Sequence, residues 1–225
     1  MRVGSFEDWQ ITALGHDGFL LENLGLKLRL VFDPFEVPEL DPVDYVFISH
    51  HHYDHLDTNS IRKLLGPKTI IVAPKCCRSE LKDFLDQVQI VEDRDKHQEK
   101  ELTYWTVPAY NVNKFRTPNE VFHTKEVGGV GFVVDVGKTR FYHAGDTDFI
   151  PEMAELKKIS VAFLPISGTF VMTLDEAVQA TEVINPKLVI PMHYGKILGS
   201  VTDAIRFQNL LRDKVLVMVL NASAG

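Results

Sequence analysis

The residues best suited to chemistry stand close together: His50, His52, Asp54 and His55, within the run Ser49-His50-His51-His52-Tyr53-Asp54-His55-Leu56-Asp57. Neutral imidazole and carboxylate are the side chains that hold Zn²⁺, Mn²⁺ or Fe²⁺. The run follows directly on the apolar segment Tyr45–Ile48, which reads as a strand. In extended chain, residues two apart point the same way, so His50 and His52 can grip one ion together. A turn into the next helix then lets Asp54 and His55 face a second ion nearby. A solvated histidine-rich loop is the bland alternative, and two segments downstream weigh against it.

In Phe141-Tyr142-His143-Ala144-Gly145-Asp146-Thr147, a strand ends in a turn with an acid at its tip. An Asp after Gly is often only a turn residue. Beside a histidine cluster, its two oxygens can instead bridge two ions about 3.5–4 Å apart. In Leu188-Val189-Ile190-Pro191-Met192-His193-Tyr194-Gly195, another strand delivers a histidine to its C-terminal end. Ligands at several strand ends converge on one mouth, which favours a shared site over a packed structural histidine.

The elements that must position these residues read as short strands first: Ile11–Leu14, Phe19–Glu22, Leu26–Phe32 and Tyr45–Ile48. Strict alternation in Leu26-Lys27-Leu28-Arg29-Leu30 predicts a strand buried on one face. A helix is expected over Thr58–Leu65, closed by Gly66-Pro67, then a strand Thr69–Ala73, a helix Lys75–Leu85 and a strand Val88–Val91. Charge-rich Glu92–Lys100 reads as a surface loop, and Leu102–Val107 as a strand. Val130–Val136 and Thr139–His143 form a hairpin turning at Gly137-Lys138. Pro151 suits the first position of a helix. Strand Val161–Pro165 precedes a helix that Thr173 and Glu176 open as a capping box and that ends at Ile184 before Asn185-Pro186. Lys187–Ile190 and Lys214–Leu220 are strands flanking a helix Val201–Leu211. Strands alternating with helices give a layered α/β domain, and no linker composition divides residues 1–225, so a single domain is expected.

The segments S-H-H-H-Y-D-H-L-D, Y-H-A-G-D-T and P-M-H-Y-G resemble the metallo-β-lactamase superfamily, and within it the branch of ascorbate-6-phosphate lactonase and N-acyl-phosphatidylethanolamine phospholipase D. The matches run from about residue 10 to residue 196. The resemblance implies a four-layer αββα sandwich of two mixed β-sheets with two divalent ions at one edge, Zn or Mn first, with Fe or Ni as alternatives. It implies that His50 and His52 hold metal 1, that Asp54, His55 and His193 hold metal 2, and that Asp146 bridges. Metal 1 normally takes a third histidine, in a segment such as P-A-x-H. Here Pro108-Ala109-Tyr110-Asn111 places Asn111 at that position, a weaker ligand for Zn²⁺ than imidazole. Either Asn111 or His123, in the loop that follows, completes the site, or only one ion is held tightly.

The implied chemistry is hydrolysis of a phosphodiester or lactone by a metal-bound hydroxide, with Asp54 orienting or receiving the proton of the attacking water. His16, in Gly15-His16-Asp17-Gly18, either shuttles a proton or contacts substrate, or is only a turn histidine. Asp33 and Asp57 read as residues that orient ligands or cap turns. Lys114, Arg116 and Lys125 either meet an anionic small-molecule substrate or are solvated. Ser167 lacks the G-x-S-x-G setting of a nucleophile.

A net charge of −7 argues against a general nucleic-acid binder. A tRNA-processing nuclease of the same superfamily is therefore a weaker alternative, since no basic arm is visible. A metal-binding sensor or scaffold without turnover is the alternative of another class, favoured by Asn111 alone. Cys76 and Cys77 are adjacent and suggest no disulfide framework. The N-terminal residues contain no secretory h-region and the longest apolar run, Val215–Leu220, is too short to span a bilayer. A soluble, cytoplasmic protein is expected.

Overall fold

A computed structural model describes residues 1–220 in two units, Met1–Val91 with Leu220 and Glu92–Val219. In the first, β1 (Arg2–Phe6), β2 (Trp9–Gly15), β3 (Gly18–Asn23) and β4 (Leu28–Phe32) run as an antiparallel meander. Three parallel strands extend the sheet: β5 (Tyr45–Phe47), β6 (Ile70–Pro74) and β7 (Val88–Val91). β5 and β6 are apolar on both faces, as covered strands require: every residue of β5, and all of β6 but Ile70, is buried. Helix α1 (Thr58–Leu64) makes the crossover from β5 to β6. Asp57 caps it, accepting from the Asn59 amide at 3.0 Å, and Ile61 and Leu64 pack with Leu20, Val31, Val46 and Ile71.

In the second unit, β8 (Lys96–Gln98), β9 (Thr103–Pro108), β12 (Val130–Val136) and β13 (Thr139–His143) are antiparallel neighbours. β14 (Val161–Pro165), β15 (Leu188–Met192) and β16 (Leu216–Val217) continue the sheet in parallel. β10 (Phe115–Thr117) and β11 (Glu120–Val121) form a separate ribbon between β9 and β12. Helix α2 (Leu174–Ile184) joins β14 to β15, and α3 (Val201–Leu210) joins β15 to β16. The capping box of Thr173 and Glu176 is present, and Asn185 closes α2 with a left-handed backbone. Two mixed sheets with flanking helices are the expected α/β class.

Three element expectations are corrected, and one strand had no expectation. Lys75–Leu85 is not one helix but two short 3₁₀ turns, Lys75–Cys77 and Lys82–Gln87. The apolar spacing of Cys77, Leu81 and Phe84 is real, and all three are buried, but over so few residues periods of 3.0 and 3.6 look alike. Within Glu92–Lys100, Lys96–Gln98 is an edge strand on β9, a polar segment with no apolar alternation to betray it. Leu26 and Lys27 lie in the turn before β4: Leu26 is 56% exposed and Lys27 has φ 53°. The alternation holds over Leu28–Leu30, with Arg29 half-buried between two buried leucines, and from Leu30 to Phe32 β4 is buried on both faces. β1, an exposed edge strand, has no counterpart among the sequence-based strands. No helix among the described residues is long and apolar enough to cross a membrane.

Candidate metal centre

In the first unit the histidine run leaves the C-terminal end of β5, where ligand sites of open α/β sheets lie. Asp33, at the end of β4, organises it. Its carboxylate accepts from the Ser49 amide (2.7 Å), the Ser49 hydroxyl (2.6 Å) and His55 Nδ1 (2.8 Å). The Ser49 hydroxyl hydrogen is thereby committed to Asp33, so Ser49 Oγ accepts from His50 Nδ1 at 2.9 Å. Both His50 and His55 are thus held in the tautomer with the lone pair on Nε2. His50 Nε2 stands 3.0 Å from His52 Nδ1.

His16 joins the same cluster. Its Nε2 lies 3.1 Å from Asp54 Oδ2, and one donor atom from each of His16, Asp54 and His55 falls within 4.8 Å of the others. His16 sits in a tight turn with φ 50°, and a side chain on Gly18 would press on the Gly15 and Asp33 carbonyl oxygens at 3.0 and 3.1 Å. Asp33 (φ 38°) and, in the second unit, His193 (φ 59°) share this left-handed backbone. Such conformations cost on the order of 1–3 kcal/mol each and gather at functional sites.

In the second unit Asp146 follows β13 and His193 follows β15. Asp146 Oδ2 lies 3.4 Å from His193 Nε2 and 3.4 Å from His123 Nε2. All three side chains are buried. His193 Nδ1 contacts Ser167 Oγ at 2.8 Å. Asn111 lies in the segment after β9, which zips against its return: the Asn111 amide donates to the His123 carbonyl (2.8 Å) and the Phe122 amide to the Lys114 carbonyl (3.0 Å). That pairing brings Asn111 and His123 together, with Asn111 Oδ1 2.9 Å from His123 Nδ1.

The donor chemistry fits divalent ions. Each unit presents buried imidazole and carboxylate groups, the mixture Zn²⁺ and Mn²⁺ take. The 3.4 Å spacings around Asp146 are long for N–H···O bonds. They match two ligands about 2.1 Å from one tetrahedral ion, which stand roughly 3.4 Å apart.

Several residues have other occupations. Lys114, expected to be solvated or to meet substrate, is 8% exposed and lies 3.0 Å from Asp148 and 2.7 Å from Glu176. Lys125 pairs with Glu152 at 2.8 Å, and Arg116 is exposed. Asp57 accepts from the Ser60 hydroxyl and the Glu36 amide besides capping α1. Asp148 escaped sequence reading altogether. It accepts from the Val112 and Asn113 amides at 2.7 and 2.9 Å, and only the acid three residues after Gly145 hinted at it. Cys76 and Cys77 are thiols. The Cys77 thiol donates to Cys76 and, against the opposing effect of burial and with help from His51, holds Cys76 down to about 6; burial pushes Cys77 far up.

A family model described as a beta-lactamase superfamily domain matches residues 10–193. A UPF0173 metal-dependent hydrolase of Nanoarchaeum equitans is 34% identical over 224 residues, 94% of this chain and 96% of that relative. A second, from Carboxydothermus hydrogenoformans, is 32% identical and likewise spans 94% of this chain and 96% of its own length. A crystal structure from Parabacteroides distasonis superposes with a TM-score of 0.81 at 25% identity, covering 97% of each chain. The chain therefore belongs to the metallo-β-lactamase superfamily and, within it, to the UPF0173 metal-dependent hydrolases.

Proposed function

We propose that this hydrolase works with two divalent ions, Zn or Mn first and Fe or Ni as alternatives, held by His50, His52, Asp54, His55, Asp146 and His193. The observation that carries the reading is the tautomer set in the first unit: Asp33 and Ser49 oblige His55 and His50 to carry their lone pairs on Nε2. Orientation of a ligating imidazole through its other nitrogen is how metal sites are built. When bound, such ions make water a nucleophile at neutral pH and polarise the oxygen of the scissile bond.

The protein's own groups then manage orientation and protons. Asp54 Oδ2 takes the proton of the attacking water, and His16 Nε2, 3.1 Å away, is placed to accept it in turn. The His16 ring is buried, with the Phe35 ring centroid 6.4 Å from its own, which limits water on this side. Lys114 is engaged by Asp148 and Glu176, so it does not recognise an anionic substrate; the ions themselves would meet the charge. The substrate class we assign is a phosphodiester or a lactone, on the resemblance to the lactonase and phospholipase D branch. The free thiols support a reducing, cytoplasmic setting.

The test is hydrolysis of bis-p-nitrophenyl phosphate and of a simple lactone by metal-reconstituted enzyme. Asp54→Ala is expected to lose about 10²–10⁴-fold in kcat, and His16→Gln to lose less. Turnover that survives Asp54→Ala unchanged would remove Asp54 from the proton path.

A further inference from the structure

We infer that Asn111 is not a metal ligand but a positioning residue: it selects the tautomer of His123 and so makes His123 Nε2 the donor to the ion that Asp146 shares. The inference rests on the two-ion reading above and concerns residues of the second unit alone.

The side-chain amide of Asn111 can be oriented without ambiguity. Its Nδ2 lies 2.8 Å from the Phe170 carbonyl, which can only accept, and its Oδ1 lies 2.8 Å from the His123 amide, which can only donate. The oxygen therefore faces His123, and His123 Nδ1, 2.9 Å from it, must carry a proton. In the neutral ring the lone pair then sits on Nε2, which lies 3.4 Å from Asp146 Oδ2. Both lone pairs of Asn111 Oδ1 are taken by His123, so the amide has no acceptor capacity left for an ion.

Behind this pair stands a charged strap. Asn111 Nδ2 also reaches Asp148 Oδ1 at 3.2 Å. Asp148, 1% exposed, is balanced by Lys114 at 3.0 Å, and Lys114 is tied to Glu176 on the first turn of α2 at 2.7 Å. Two further amides, of Val112 and Asn113, donate to the same Asp148 carboxylate. The paired segment carrying Asn111 and His123 is thus anchored to a helix N-terminus through one ion triad, buried at Lys114 and Asp148 and half-buried at Glu176. An asparagine where an imidazole would be expected has moved the ligand across the pairing, from residue 111 to residue 123.

The test pairs a metal titration with histidine nitrogen chemical shifts of the metal-free protein, measured by NMR at alkaline pH where imidazoles are neutral. Wild type is expected to show His123 as the Nδ1–H tautomer. His123→Ala is expected to weaken binding of one ion at least about 100-fold. Asn111→Ala, which keeps the imidazole, is expected to weaken it about 10–100-fold, as loss of an orienting partner does, and to release the tautomer. An Nε2–H tautomer in wild type, or His123→Ala binding metal as wild type does, overturns the inference. Wild type that takes up no ion under any condition overturns instead the metal reading beneath it, and the tautomer result separates the two failures.

Discussion

His50, His55, His123 and His193 are each held through Nδ1, by Ser49, Asp33, Asn111 and Ser167 in turn. At this scale the sequence was legible wherever the donor stood in a contiguous motif. Asp33 was legible as an orienting residue, but which histidine it holds was not, and neither Asn111 nor Ser167 was legible in that role. Asp33 lies 22 residues from His55, and only the antiparallel-to-parallel switch after β4 brings them together. Asp33→Asn is expected to lower metal affinity about 10–100-fold while the protein still folds, read by competition with a chelating dye; unchanged affinity would mean that Asp33 serves only the turn. Cys76 makes a prediction independent of the metals. With its thiol held near 6, its alkylation by iodoacetamide should rise through a midpoint near that pH, whereas Cys77 stays unmodified in the folded chain. A midpoint near the ordinary 9 for Cys76 would contradict the hydrogen bonds assigned to it from Cys77 and His51.

The elements that precede the histidine run, Asp146 and His193 were readable because each is an apolar strand that stops at a turn: β5, β13 and β15 all do so. The capping box of α2 was readable because its two residues are local. What escaped were polar edge strands, β1 and β8, whose partners rather than their own residues make them strands. The pairing of residue 111 with residue 123 escaped for the same reason. Helix α2 offers the sharpest element-scale tests. Thr173→Ala removes a cap and should cost about 1 kcal/mol in denaturant unfolding; no measurable cost would contradict the capping geometry. Burial opposes ionisation of Glu176, but hydrogen bonds from Asn113, Lys114 and Thr173 outweigh it and hold the carboxyl at about 2, below its ordinary 4.5. A depressed folded value means that its stabilising contribution is complete above about 4.5 and is lost as pH falls towards about 2. Glu176→Gln should therefore destabilise the protein at neutral pH, with the difference from wild type shrinking across that acid window. A difference that stays constant with pH would assign the effect to packing instead.

At the scale of the whole chain, the superfamily and the α/β class follow from three short motifs in order, because the fold exists to set strand ends beside one another. The substrate is not written in those motifs, since ligands of one kind serve many reactions on one fold. Ions that bind only the folded chain must also stabilise it. At about 100 times Kd the gain is about 2.7 kcal/mol, or roughly 5–10 °C in Tm for a chain of this size. A Tm indifferent to chelators and to added Zn²⁺ or Mn²⁺ would speak against native-state binding. The most direct test is elemental analysis of the reconstituted protein beside His52→Ala and Asp146→Ala. Wild type is expected to hold about two ions per chain, with a loss in each variant. Reconstituted wild type holding only traces of Zn, Mn or Fe, or variants loaded as fully as wild type, would contradict that expectation.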